Sequence, residues 1–246
     1  MAADIQPRES GTTLPPWGGK DCLAGLGAAL VAVLTLISIA SWLADSPRTA
    51  TIPAAHALAG IGLTLLFDVA LVGIAAVLTI GRFGGGLASL GWRTRPIRMW
   101  APTAAACFAA AWITLGAYWL LTALLGLDPF VPQSNAPTDL FNQPLTLIPS
   151  VALIIVAAPL AEETFFRGFL FRGFLRRLGF AGAATVSGVV FALAHASPSL
   201  IIPYTVIGVI FAYGYWRSGT LVSNTAAHLC FNLTSVVITL ASLGRG

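Results

Sequence analysis

The chain has 246 residues, of which 57% are hydrophobic and only 9% are Asp, Glu, Lys or Arg. Soluble domains run at about 45–50% apolar and about 25% charged, so this composition excludes a soluble enzyme and a disordered protein. A net charge of +4 with no basic stripe also excludes a nucleic-acid binder, and the sequence predicts an all-α, polytopic transmembrane helix bundle.

The first 21 residues form a polar tail with Pro and Gly, too long and too mixed in charge for a signal peptide. The apolar segment behind it is expected to be retained. A crossing takes roughly 20 apolar residues. Seven segments meet or approach that length: 22–44, 54–80, 101–125, 147–175, 180–197, 199–216 and 219–243. An eighth span would come from a split at Pro159 or Pro203.

Residues 22–125 make three helices with almost no polar side chains besides Asp68, midway along the second span, and scattered Ser and Thr. His56 falls near the outer end of that span. The stretch 126–146 carries Pro129, Pro132, Pro137 and Pro144 and no positive charge, and reads as an outer-face loop. Residues 147–246 form the region of about four helices in which membrane-depth ionisable groups appear. Such groups line a protein interior or a wet cavity. No repeat relates the two halves, which speaks against an inverted-repeat transporter.

Orientation follows the Lys and Arg residues. With the N-terminus cytoplasmic, the inside holds Arg8, Lys20, Arg82, Arg93, Arg95, Arg98, Arg167, Arg172, Arg176, Arg177 and Arg217, and the outside only Arg48 and Arg245. The predicted location is the cell membrane, multi-pass. Cys22, Cys107 and Cys230 are odd in number, lack a C-x-x-C and read as small buried hydrophobes, neither disulfides nor a thiolate zinc site.

Three clusters carry the chemistry. In the first, Glu163 precedes Arg167 by four residues, the favourable order for a helical ion pair. Neighbours on a helix sit about 100° apart, so Glu162 and Glu163 are expected to address different points, leaving Glu162 available. A plainer alternative is a juxtamembrane charge cluster that sets topology. In the second, Phe191 precedes His195 by four and forms a floor for its ring. In the third, His228 and Asn232 share one face. A lone membrane histidine also serves as a helix-to-helix hydrogen bond.

Depth joins the clusters. Counted from Arg176–Arg177, Glu162 lies roughly 20 Å inward; counted from Phe180, His195 lies roughly 20 Å inward. His228 and Asn232 lie roughly 12 and 18 Å beyond Thr220. Convergence requires a long, tilted fourth helix running past Arg167 to the arginine pair. A carboxylate and an imidazole in a low-dielectric cavity suit general-base activation of water. A second imidazole beside an amide suits an oxyanion. No Ser or Cys is placed as a nucleophile, Cys230 being 100° or more from His228 and Asn232. Two His and a Glu (Glu162, His195, His228) also permit zinc, although H-E-x-x-H is absent.

E-E-x-x-x-R (Glu162, Glu163, Arg167), F-x-x-x-H (Phe191, His195) and H-x-x-x-N (His228, Asn232), in this order, resemble the signature motifs of the CPBP family. These are the CAAX-protease and bacteriocin-processing intramembrane endopeptidases, also called Abi. The resemblance covers roughly residues 145–240, including the run Arg167 to Gly173 and the turn Tyr213 to Leu221. It implies an all-helical membrane protease whose cavity opens toward the cytosolic side, acting on a peptide or prenylated protein. It also implies that Glu162 and His195 activate water, that His228 and Asn232 form the oxyanion site, and that Glu163 and Arg167 support the first helix. A metal-free glutamate mechanism is favoured, with zinc as the alternative. Trp216, Ser218 and Gly219 are expected at the cavity mouth. Two other classes remain: a non-catalytic binding or immunity protein of the same fold, and an ion-coupled carrier for which Asp68 is the supporting feature.

Overall fold

The computed structural model describes residues 14–44, 54–132, 141 and 144–243. The first 13 residues of the polar tail, Arg48, Arg245 and much of the 126–146 loop lie outside the described residues. The protein is an all-α polytopic membrane bundle. Among the described residues six helices are long and apolar enough to cross a membrane.

Three helices come first: α1 (Gly19–Ala44), α2 (Ala54–Ala76), continued to Gly81 by a wider turn, and α3 (Ile97–Leu124). A continuous helical column follows. It consists of α4 (Pro144–Ala152), α5 (Ala158–Glu162) and α6 (Arg172–Ala194), linked by two π-helical stretches, Leu153–Ala157 and Glu163–Phe171. The last two helices are α7 (Ile201–Ser218) and α8 (Leu221–Leu243).

The column runs straight through Pro159, and Pro203 sits in the first turn of α7, so neither proline divides a span. The break falls at Gly179, whose φ of 64° only glycine adopts without strain. From Pro144 to Leu178 the column is roughly 50 Å long at 1.5 Å per residue. That is well beyond a hydrocarbon core of about 30 Å, and it supplies the long fourth helix that convergence demands. After Gly179, α6 extends only roughly 22 Å before its end at His195. There Ala196 takes a positive φ of 49° and the chain turns into α7.

Leu30, Val31, Leu34 and Trp42 of α1 and Ile113, Trp119, Leu121 and Leu124 of α3 point outward, where a lipid-facing surface belongs. The interior is built on the column. All nine residues of Glu163–Phe171 are buried, and Phe165, Phe166, Phe169 and Phe171 pack with Trp17, Leu71, Leu90, Phe191 and Tyr215. A second cluster joins α3, α7 and α8 through Cys107, Ala111, Ile207, Phe211 and Phe231. Cys22 and Cys107 are buried as expected, whereas Cys230 is exposed. It occupies the outer face of α8, between His228 and Phe231, which both point inward.

The wider turns have a structural use. Their carbonyls accept from other parts of the chain: Trp17 Nε1, ahead of α1, donates to the Phe169 carbonyl (3.1 Å) and Ser187 Oγ of α6 to the Phe166 carbonyl (2.8 Å). Two glycines, one in this stretch and one just past it in α6, exist for close approach. A Cβ on Gly168 would stand 2.5 Å from the Leu90 carbonyl oxygen, and one on Gly173 would overlap Cys22 and Trp17. The segment 82–96, between α2 and α3, is thereby held against the column. Trp92 Nε1 donates to Thr164 Oγ1 at 3.0 Å, Thr220 Oγ1 to the Arg93 carbonyl at 2.7 Å, and Arg172 to the Ser89 carbonyl.

α6 and α7 cross at Gly188 and Gly208, as small residues in membrane helices allow. A Cβ on Gly208 would lie 2.5 Å from the Gly188 Cα, and one on Gly188 would lie 2.7 Å from the Thr205 carbonyl oxygen. Backbone on both sides cannot yield, so Gly208→Ala is expected to lower stability by about 1–3 kcal/mol. A drop in the melting temperature of the detergent-solubilised protein checks this.

Candidate active site

α5 and the π-helical stretch that follows it present Glu162 and Glu163, α6 ends on His195, and α8 carries His228 and Asn232. Glu163 and Arg167 pair as their spacing predicts. Arg167 Nη1 lies 3.0 Å from Glu163 Oε1, both side chains being fully buried. Arg167 is not at the inner membrane edge, where the orientation tally put it. Its guanidinium stands over the rings of Phe191 (4.4 Å) and Phe211 (5.4 Å) and donates to the Gly208 carbonyl (3.4 Å). A cation so deep requires these partners, and the α6–α7 crossing brings one of them within reach.

The two glutamates do address the same group, contrary to the sequence expectation. His228 Nδ1 is 3.2 Å from Glu163 Oε1, and His228 Nε2 is 3.8 Å from Glu162 Oε2. The imidazole presents one nitrogen to each carboxylate. The two carboxylates still point in different directions, and they meet one group because the imidazole offers a nitrogen on each of two edges. A carboxylate only accepts, so His228 Nδ1 is the donor toward Glu163. Asn224 completes this shell, donating to Glu163 Oε2 (3.4 Å) and to the Phe211 carbonyl.

Asn232 donates through Nδ2 to the Ile154 carbonyl at 2.7 Å. Leu153–Ala157 is bonded residue i to i+5, as the Ala158 N–H to Leu153 carbonyl bond shows. The corresponding donor for Ile154 would be residue 159, which is proline and has no N–H. Pro159 therefore frees the carbonyl that anchors Asn232. His195 is placed by its own helix end: Nδ1 bonds the Phe191 carbonyl at 2.8 Å. A carbonyl only accepts, so the proton is on Nδ1 and Nε2 is the basic nitrogen of the neutral ring. The ring packs on Phe191, centroids 4.7 Å apart, as expected, and edge-on against Tyr204, also at 4.7 Å.

Glu162, His195, Tyr204 and Asn232 line one cavity of about 860 Å³, together with apolar side chains such as Trp112, Leu115 and Ile238. A small recess behind it is lined by Phe191, His195, Tyr204, His228 and Asn232. All four expected residues thus meet at contiguous spaces. Phe191 forms the floor between Arg167 and His195. Among the described residues no three His, Cys, Asp or Glu side chains converge as a metal would require. His228 Nδ1 is bonded to Glu163 and His195 Nδ1 to a carbonyl, bonds that metal-ligating imidazoles also make through their second nitrogen.

The cavity occupies one half of the bundle. Its walls come from the start of α2 (His56, Gly60, Thr64), Pro132, α4 (Ser150) and the far end of α8 (Ser235, Thr239). Lys20, Arg82, Arg93, Arg95, Arg98, Arg176, Arg177 and Arg217 all fall at the opposite helix ends. A cytoplasmic arginine face and a cavity opening to the cytosol are therefore incompatible. Trp216, Ser218 and Gly219 lie at the arginine end of α7, not at the mouth. His56 is exposed and lines the cavity rather than only the interface. Asp68 is buried on α2, one turn beyond Thr64, with Oδ2 unpartnered among the described residues.

Residues 144–234 match the family described as "Type II CAAX prenyl endopeptidase Rce1-like". This region is similar to the CPBP family. The "Putative membrane peptidase YdiL" of Bacillus subtilis (strain 168) is 31% identical over 100 residues, covering 39% of this chain and 41% of that protein. The match thus spans about two fifths of the curated relative's length. No solved structure matches. The matched region begins at Pro144, where the helical column begins, and ends on α8 two residues past Asn232. Two residues of its site escaped the sequence reading. Asn224 had a visible signal, since Asn224, His228 and Asn232 repeat every four residues. Tyr204 had none.

Proposed function

We propose that this protein is a membrane endopeptidase that hydrolyses a peptide bond with a water molecule activated by Glu162 and His195. The observation that carries the reading is the meeting of Glu162, His195 and Asn232, from three helical segments, at one large and mostly apolar cavity. Glu162 Oε2 has no hydrogen-bond partner among the described residues and is otherwise buried, as suits a carboxylate kept for water. In this reading the water's proton passes to Glu162 while its oxygen attacks the scissile carbonyl. His195 Nε2 orients the water, its ring held by the Phe191 carbonyl. His228 and Asn232 flank the developing oxyanion, while Glu163 and Arg167 position His228. Each step uses protein groups alone, so we take the mechanism as metal-free.

The substrate class follows from the walls. A cavity of about 860 Å³ exceeds what a short side chain fills and suits an apolar chain attached to a peptide. The family description and the relative's name point the same way, toward a prenyl-type or membrane-associated substrate. The N-terminus and the arginine face are assigned to the cytoplasm of the cell membrane by the positive-inside rule. Substrate then reaches the site from the far side or through the bilayer.

Cleavage of a quenched fluorescent farnesyl-peptide and of a membrane-peptide library is the test. Wild type is expected to cleave with and without a strong zinc chelator, and His195→Ala to lose at least about 10²-fold. Loss on chelation, restored by zinc, would overturn the metal-free mechanism. Orientation is tested separately with His56→Cys in a cysteine-free chain. A membrane-impermeant maleimide is expected to label it from outside intact cells, and labelling only after lysis would reverse the assignment.

A further inference from the structure

We propose that the hydroxyl of Tyr204 is a further catalytic group, donating a hydrogen bond to the oxyanion of the tetrahedral intermediate; this rests on the hydrolytic reading above. The other donors near the scissile carbonyl are largely committed. Asn232 Nδ2 already donates to the Ile154 carbonyl at 2.7 Å, and His228 Nδ1 faces Glu163 at 3.2 Å, with Nε2 turned to Glu162. Tyr204 lines both the large cavity and the small recess. It is the one phenol in either, and its hydroxyl has no hydrogen-bond partner among the described residues.

Its ring is held from two sides. It stands perpendicular to His195 at 88°, centroids 4.7 Å apart, and lies 6.1 Å from Phe191. Pro203 before it is buried in the first turn of α7, and Thr205 after it is tied back to the Ile201 carbonyl at 2.7 Å. A donor fixed in this way is organised before charge develops, which is what makes such groups effective. In the step itself, water oxygen bonds to the carbonyl carbon, its proton goes to Glu162, and the carbonyl π pair moves onto oxygen. Tyr204 keeps its proton and shares it with that oxygen; collapse of the intermediate expels the amine, which takes the proton from Glu162.

Tyr204→Phe keeps the ring and its contacts and removes only the hydroxyl. Two readouts are used. In turnover of the farnesyl-peptide, Tyr204→Phe is expected to lower kcat about 10²-fold with KM nearly unchanged. In binding, a farnesyl-peptide phosphinate, which carries an anionic tetrahedral centre, is expected to bind Tyr204→Phe about 10²-fold more weakly than wild type. A reduced-amide peptide of the same sequence is expected to bind both equally. Equal phosphinate affinity for the two proteins, binding by neither, or parallel losses for phosphinate and reduced amide would overturn the proposal. Failure of the hydrolytic reading looks different: Glu162→Gln would then cleave as fast as wild type.

Discussion

Glu162→Gln is expected to lower turnover by roughly 10³-fold and to leave the melting temperature of the purified protein unchanged. The amide fills the same volume and keeps an oxygen toward His228, so the packing of the column is preserved. What it loses is the capacity to take a proton from water. The carboxylate is well suited to that task, because Oε2 is buried and lacks a hydrogen-bond partner among the described residues, with the His228 ring 3.8 Å away. A cleavage assay run beside a thermal melt separates the two quantities. Activity lost together with stability would mean that Glu162 is structural. Activity retained at the wild-type level would remove it from the mechanism.

The second large effect is expected at Arg167. Arg167→Met leaves Glu163 fully buried without its cation and is expected to cost about 3–5 kcal/mol, enough to deplete the protein from membranes. The Glu163→Gln/Arg167→Met double variant is expected to recover most of that loss. A neutral pair among Phe166, Phe191 and Phe211 carries no desolvation cost of its own, and replacing both members of a buried pair is often near neutral. Activity is not expected to return with stability. Glu163 also holds His228 Nδ1 and Asn224, and an amide in place of its carboxylate would present His228 with a weaker, neutral acceptor. Membrane yield and thermal melts of the two single variants and the double variant give the coupling directly. Additive losses would show that the pair acts through separate contacts.

The helices were legible because lipid demands long apolar runs. The predicted segment 219–243 became Leu221–Leu243, and 101–125 became Ile97–Leu124. The site was legible because an i, i+4 spacing survives into the fold: Glu163 meets Arg167, and Phe191 meets His195. The π-helical stretches were not legible, since one extra residue per turn leaves no compositional trace beyond Pro159. Their effect was nevertheless large, because the first of them, with Pro159, releases the Ile154 carbonyl to Asn232. The side of the membrane on which the cavity lies was not legible either. It depends on where α6 stops, and nothing in the apolar run up to Ala194 marks that end.

The Glu163–Arg167 ion pair lies within a single helical segment, whereas Asn224 and His228, which complete the shell around Glu163, come from α8. Synthesis is vectorial, so the column must enter the bilayer before α8 exists. Two opposite charges already neutralised by a neighbour four residues away lower the cost of that entry, and no later helix is needed for it. Helix α8 then brings His228 and Asn232 to a prepared socket. The candidate active centre is therefore completed only when α8 is in place, and a chain released before α8 would hold its glutamates in the membrane without the imidazole that unites them.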